Sequence, residues 1–283
     1  MWDVIWNTRS YFFWLMVVSL FCALAERMRP WRQGQRFLRA EFFQDLFWLF
    51  FNGHYFSILF AYVSVWLTRW WLPAMESAQA WNLLAAWPLW AQGLFYFVLK
   101  DWLDWCVHNL LHRVPALWEF HKIHHSITEM DWIGNFRFHW MEIVVYQSIT
   151  YFPLVVLGVD PTVLLIIAVL NTLIGHLNHS NLDLSWGPLR YLLNSSRMHI
   201  WHHMHDLPEA RRQGVNFGIS LSVWDWLFRT AYWPSLEERP TQQPDTLGFP
   251  GMERVPVSLH GRLWSPFKRM GHRVRNSVLR LHR

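Results

Sequence analysis

Cysteine and lysine are scarce in this chain of 283 residues. The two cysteines, Cys22 and Cys106, lie far apart in apolar surroundings, which excludes a disulfide framework and a Cys-x-x-Cys metal knuckle. Lysine occurs only as Lys100, Lys122 and Lys268, so the net charge of +5 comes almost wholly from arginine. Charged residues make up 16% of the chain, against roughly 25% in an ordinary soluble domain. The sequence has no glycine-rich phosphate loop, no internal repeat or low-complexity segment, and no haem, flavin or iron–sulfur motif. A nucleotide-phosphate enzyme and a self-contained electron-transfer chain are thereby set aside. In a chain this apolar, the basic excess suits anionic lipid headgroups better than nucleic acid.

Apolar and aromatic residues are abundant instead: 53% of the chain is hydrophobic, with 22 Trp and 21 Phe. An apolar run from Tyr11 to Ala25 is preceded by Asp3 and Arg9 and followed by Arg27, Arg29, Arg32, Arg36 and Arg39. Ala23-Leu24-Ala25 resembles a signal-peptide cleavage site. The arginines, however, follow the run, which predicts a retained helix with its N-terminus outside. Further runs extend from Phe42 to about Leu67 and from Trp87 to about Leu111, each beyond the ~20 residues that cross a bilayer. Between them, Thr68 to Trp81 is charge-poor and predicted to lie outside, with Trp66, Trp70, Trp71 and Trp81 as an interfacial belt. Ile143 to Leu177 is apolar again, broken at Gly158-Val159-Asp160-Pro161, and predicts a helical hairpin whose ends return to one side. Each arm is slightly short for a full crossing. A Pro- and Gln-rich loop (Trp233 to Pro250) then leads to Arg262–Arg283, where Trp264, Phe267, Met270, Val274, Val278 and Leu281 recur at roughly helical spacing; an amphipathic surface helix or a solvated tail fits this segment.

Twelve of the sixteen histidines fall between His108 and His205. Histidine is the commonest metal ligand, and an imidazole is costly to bury without a partner. His108 and His112 are four apart. His121, His124 and His125 stand at i, i+3 and i+4, and His199, His202 and His203 repeat that pattern. His176 and His179 are three apart at the end of the hairpin. On helices these spacings stack rings on one face. One zinc needs three or four protein ligands; eight to ten imidazoles point to two metals. Imidazole suits iron, copper, zinc and nickel alike, and the Glu-x-x-His pairs of soluble di-iron bundles are missing. An all-histidine di-iron site at a bilayer is the sharper reading; a membrane zinc- or metal-binding protein without oxygenase activity is the alternative from another class.

The run from Asp101 through His108-x-x-x-His112, Val114-Pro115, Leu117-Trp118 and Phe120-His121-Lys122-Ile123-His124-His125-Ser126 resembles the fatty acid hydroxylase/sterol desaturase superfamily. Arg137-Phe138-His139-Trp140-Met141-Glu142, His179-Ser180-Asn181, His199-Ile200-Trp201-His202-His203, Asn216-Phe217-Gly218 and the Trp224–Thr230 segment continue the likeness in order. Three positions depart from it: Trp140 and Ser196 where proline is usual, and Arg229 where glycine is usual.

The resemblance implies a membrane enzyme with a histidine-bound pair of iron ions that uses O2 and two electrons to hydroxylate a lipid C–H position, or to desaturate it. The substrate is left open among fatty acyl, sterol-like and other membrane lipids. An external electron donor is implied, cytochrome b5-like, ferredoxin-like or a reductase. The fold expected is all-α: a multi-pass membrane helical bundle with a cytosolic histidine-rich helical cap. It divides into transmembrane helices over 1–100, a catalytic region over 101–232 that includes the hairpin (about 143–177), and a C-terminal loop and basic helix over 233–283. A bacterial inner membrane is favoured over the endoplasmic reticulum. The metal ligands expected are His108, His112, His121, His124, His125, His176, His179, His199, His202 and His203, with no separate catalytic group. Asp104, His139 and Glu142 are expected to support them. His54, in the middle of the second apolar run, is a functional candidate as an intramembrane ionisable group, or part of a local kink at Asn52-Gly53; His205 is read as solvated, and His260, His272 and His282 as part of the basic tail.

Overall fold

The computed structural model describes residues 7–60, 62, 63, 66, 83–151, 157–235, 238 and 243–281. Among these residues the fold is helical and strandless; only isolated antiparallel bridges occur, Leu193 with Leu221 and Met204 with Leu247. The predicted outer segment 68–81 lies outside the described residues, as do the later part of the second apolar run and 152–156 of the hairpin.

Helix α1 (Tyr11–Met28) realises the first apolar run and ends where Pro30 turns Arg29 away from helical geometry. Helix α2 (Phe42–Phe50) passes into a π-helical segment, Phe51–Tyr55, where the sequence places Asn52-Gly53. Asn52 Nδ2 donates to the carbonyls of Phe136 (3.0 Å) and Phe138 (2.7 Å), tying this irregular turn to the 136–138 segment. Helix α3 (Leu89–Arg113) is a continuous rod that ends at Val114-Pro115, and α4 (Pro115–His121) starts on that proline. After α5 (Trp140–Tyr146) and a second π-helical segment, Gln147–Tyr151, the chain reaches Asp160, which caps α6 (Pro161–His179) by accepting from Thr162 N at 2.7 Å. The short helices α7 (Ser196–His202) and α8 (Val223–Leu227) and the long C-terminal α9 (Leu259–Leu281) complete the order.

Two described helices, α1 and α6, are long and apolar enough to cross a membrane. They pack against each other and against the turn Trp132–Phe136, sharing a core of Leu15, Val18, Cys22, Trp48, Leu49 and Ile133. Helix α3 is long enough to span but carries Lys100, Asp101 and Asp104, all buried inward. A second core of Tyr96, Val159, Val163 and Ile167 joins α3 to α6. A third, of Ile127, Met130, Ile200, Trp201 and Met204, closes the cap. The arginine-rich segment after α1 belongs to that cap: Arg32 donates to the Met130 carbonyl, and Arg39 pairs with Asp131 at 2.6 Å and Asp45 at 2.6 Å. In α9, Phe267 packs on Phe120, His139 and Trp140, so this part of the apolar face covers the cap, while Trp264 stays exposed.

Candidate metal centre

Nine buried or nearly buried imidazoles meet where α3, α4, α6 and α7 end. They form two groups: His108, His112, His121, His125 and His202 in one, and His124, His179, His199 and His203 in the other. Within each group the ligand nitrogens lie within 4.8 Å of one another. The local structure divides the sequence clusters between the groups. Helix α4 ends at His121, and His124–Ser126 is a separate 3-10 turn, so the expected single helical stripe of three rings does not form. His121 and His125 go one way and His124 the other. Helix α7 likewise sends His202 to one group while His199, and His203 at its C-terminal cap, face the second.

Outer hydrogen bonds fix which nitrogen faces inward. Nδ1 of His108 donates to the Phe217 carbonyl at 2.8 Å, that of His124 to the Arg137 carbonyl at 3.2 Å, and that of His179 to the Gly175 carbonyl at 2.8 Å. Nδ1 of His202 donates to the Val215 carbonyl at 2.6 Å, and that of His121 to Glu142 Oε2 at 2.7 Å. Each of these rings therefore presents an Nε2 lone pair to the interior. Yet Nε2 of His108 lies 3.2 Å from Nε2 of His121, and Nε2 of His124 lies 3.2 Å from Nε2 of His179. Two lone pairs at that distance repel unless a cation sits between them. Nε2 of His112, His125 and His202 and both ring nitrogens of His203 are buried without a hydrogen-bond partner among the described residues. Burial among other imidazoles pushes His124, His125, His199 and His203 well below the usual histidine range, and His202 down to about 3. Neutral, inward-facing and otherwise unpartnered imidazoles are the donor set that divalent transition metals require, so the residues fit two metal ions.

The supports are built from the family-like segments. Glu142 holds His121 with one oxygen and accepts from His139 N with the other at 3.2 Å. His139 caps α5, accepting from Met141 N at 3.1 Å, while its Nε2 bonds the Leu263 carbonyl at 3.0 Å; it supports the site through Glu142 and contributes no ligand atom to either group. Arg137 is buried, with its guanidinium on Asp45 (2.5 and 2.6 Å), Glu41 (2.5 Å) and the Ser126 carbonyl (3.2 Å), and its own carbonyl orients His124. Asp225 accepts from Phe217 N, Gly218 N, Trp105 Nε1 and Thr230 Oγ1, all within 3.0 Å, and so fixes the Phe217 carbonyl that holds His108. Asp104 does not take the outer N–H of His108; it pairs with Lys100 at 2.5 Å. His176 joins neither group. Its Nε2 meets Ser19 Oγ at 3.1 Å and its Nδ1 meets Asn135 Nδ2 at 3.2 Å, between α1 and the Trp132–Phe136 turn. His54 stacks on Phe12 and His205 pairs with Asp206, both apart from the groups.

Arg137 and the Val215, Gly175 and Phe217 carbonyls were not singled out as supports by the sequence. Backbone acceptors leave no residue-type signal; Arg137 stands inside a segment that the resemblance marked, and a buried arginine between acidic residues is visible only once the chain is folded. A cavity of about 470 Å³ opens on both groups, reaching His108 and His121 of one and His124, His179 and His199 of the other. That lies within the roughly 300–1,000 Å³ of small-molecule sites.

A family model described as fatty acid hydroxylase matches residues 93–230. An ornithine lipid hydroxylase of Rhizobium tropici is 31% identical over 187 residues, covering 66% of this chain and 54% of the relative. A methylsterol monooxygenase of Arabidopsis thaliana is 27% identical over 50% of this chain and 46% of its own length. An alkylglycerol monooxygenase of Xenopus tropicalis is 24% identical over 81% of this chain and 47% of its own length. The chain thus spans about half the length of the curated relatives it matches. No solved structure matches it.

Proposed function

The chain belongs to the fatty acid hydroxylase family through residues 93–230, and we propose that it is a membrane-bound, O2-dependent oxygenase that hydroxylates an aliphatic C–H position of a membrane lipid. The observation that carries this reading is the pairing of two imidazole groups, five rings and four, around one cavity. Iron in both groups would supply O2 activation, with two electrons from an external donor. His108, His112, His121, His125 and His202 would hold one ion, and His124, His179, His199 and His203 the other. Glu142 and the Phe217, Arg137, Gly175 and Val215 carbonyls would keep five of the nine rings, His121, His108, His124, His179 and His202, in the ligating tautomer; such partners matter nearly as much as the ligands. Phe136, Phe138, Ile143 and Ile219 line the cavity and exclude water from the reacting carbon.

Membrane placement is supported by α1 and α6, and the cytosolic side by the arginines between α1 and α2, which pack on the histidine cap. A bacterial inner membrane is the compartment proposed, with a cytochrome b5-like, ferredoxin-like or reductase partner as donor. The test is metal analysis and O2 consumption of the purified, detergent-solubilised chain. Two irons per chain and lipid-stimulated O2 uptake are expected. Tightly held zinc in both groups, with no O2 uptake when iron is supplied instead, would favour a metal-binding protein without oxygenase activity.

A further inference from the structure

Away from the metal centre, a 3-10 turn, Gly187–Tyr191, and α8 build an apolar outer surface. Ser222 Oγ and Trp226 Nε1 both donate to the Arg190 carbonyl, at 2.6 and 3.1 Å, and the Tyr191 and Trp226 rings lie 4.8 Å apart, so the two pieces form one unit. Its outer side carries Trp186, Leu189, Tyr191, Leu192, Leu227 and Phe228, from 39% (Trp186) to 63% (Leu227) exposed. Large apolar side chains gathered in this way mark an interaction surface.

The partners of this unit fix its depth. Asp101 of α3 accepts from Ser220 N (2.8 Å), Leu221 N (3.1 Å) and Trp224 Nε1 (2.9 Å), and Trp105 Nε1 donates to Asp225 at 3.0 Å. On α6, Asn178 Nδ2 donates to the Ile219 carbonyl at 2.6 Å, and Asn171 Oδ1 lies 3.5 Å from Ser220 Oγ. Asp101 stands about 18 Å before the end of α3 at Arg113, and Asn171 about 12 Å before the end of α6 at His179. The unit is therefore level with the histidine-side half of two long helices, within a hydrocarbon core of about 30 Å, and not beyond their ends. The outer face of α3 is apolar down to this level, through the exposed Leu94, Val98 and Trp102, and Phe228 stacks on Trp105 just below with ring centroids 4.7 Å apart. The exposed apolar band runs from the helix onto the unit without a break, and its lower part is rich in the Trp and Tyr that favour a membrane–water interface.

Arginines border the band. The Arg190 guanidinium lies over the Tyr191 and Trp233 rings, at 5.1 and 5.3 Å, and Arg211 Nη1 donates at 2.6 Å to the carbonyl of the exposed Arg229, the residue after Phe228. The carboxylates of residues 183–230 are Asp183, Asp206, Glu209 and Asp225, and each has a partner of its own: Arg197, His205, Arg212 and the Phe217 turn. Arg190, Arg211 and Arg229 thus carry positive charge that no ion pair among the described residues offsets. We propose, resting on the membrane placement above and not on the oxygenase activity, that this unit is a wedge sunk into the leaflet on the histidine side. Leu189, Leu192, Leu227 and Phe228 lie among lipid, and Arg190, Arg211 and Arg229 contact the phosphates of anionic phospholipids. The chain leading into α8 supplies the Phe217 and Val215 carbonyls that hold His108 and His202, so the wedge seats the five-ring group at the membrane surface.

The test places an environment-sensitive fluorophore on Leu192→Cys or Leu227→Cys in the full chain, reconstituted in mixed phosphatidylcholine–phosphatidylglycerol vesicles. The background is Cys106→Ser, Cys22 being fully buried. Ile166→Cys on the exposed face of α6 and Gln213→Cys on the exposed loop serve as lipid and water references. Labels at 192 and 227 are expected to be quenched severalfold more by brominated lipid, and severalfold less by iodide, than the label at 213. Quenching at 227 is expected to be stronger when the phosphatidylglycerol carries the bromine than when the phosphatidylcholine does, and Arg211→Gln/Arg229→Gln is expected to abolish that difference. Iodide quenching at 192 and 227 equal to that at 213 overturns the wedge. Shielding from both quenchers also overturns it and gives the surface to a protein contact. Equal quenching by the two brominated lipids in the wild-type arginine background overturns the head-group contacts. A label at 166 that iodide reaches as freely as at 213 overturns the membrane placement itself.

Discussion

Nε2 of His124 and Nε2 of His179 face each other at 3.2 Å, although both rings have already committed their Nδ1–H to backbone carbonyls. A hydrogen bond between them is therefore impossible in the neutral state, and their burial disfavours a proton. The contact makes physical sense as half of a coordination sphere, which His199 and His203 would complete around a bound ion.

His124→Ala or His203→Ala is expected to empty one of the two groups and abolish product. Metal analysis should show a fall from two ions per chain towards one. Unchanged turnover in either variant would sink the ligand assignment.

Glu142→Gln keeps the size of the side chain but removes the negative charge that holds His121 in its ligating tautomer. Metal affinity is expected to fall by about ten- to a hundredfold, seen as faster loss of metal to a chelator. A chelation rate equal to wild type would show that Glu142 serves only as the partner of His139.

Asp225→Ala strands four donors, two of them backbone N–H groups that shape the Phe217 turn. A loss of about 3 kcal/mol or more in stability is expected, since each unsatisfied buried donor costs about 1–3 kcal/mol. Metal should leave the His108 group first on heating. A melting temperature within a degree or so of wild type would contradict this role.

The three departures from the family pattern have a common physical basis. Arg229 lies just past α8 with φ 60°, the left-handed position where glycine ends helices. Trp140 and Ser196 are the first residues of α5 and α7, where proline is favoured because the N–H there has no helical partner. Arg229→Gly is expected to stabilise the chain by up to about 1 kcal/mol, and Trp140→Pro to leave metal content unchanged. Destabilisation by the first, or metal loss from the second, would mean that the side chains do more than the backbone argument allows.

Much of this arrangement was legible in the residues. The apolar run from Tyr11, the Gly158–Pro161 break and the end of the third run near Leu111 each lie close to an observed helix end or turn. Nine of the ten expected ligands converge. His176 does not, because a three-residue spacing on α6 says which side a ring faces but not that Ser19 and Asn135 wait beside it. The assignment of rings to two groups was hidden as well. It depends on α4 stopping at His121, and a run of histidines at i, i+3 and i+4 looks the same whether the helix continues or tightens into a 3-10 turn. Asp104 was read as a support for His108 on spacing alone; folding pairs it with Lys100 instead.

The central claim is oxygen insertion from O2 into a membrane lipid, and labelled dioxygen tests it most directly. Cells carrying the wild-type gene, and cells carrying His124→Ala, would be grown under isotopically labelled O2 and their lipids compared by mass spectrometry. The account predicts one labelled oxygen atom in a lipid of the wild-type cells and none in the variant. A loss of two hydrogens without label would make the enzyme a desaturase. Lipids identical in both strains, from wild-type protein that carries two irons per chain, would contradict the account.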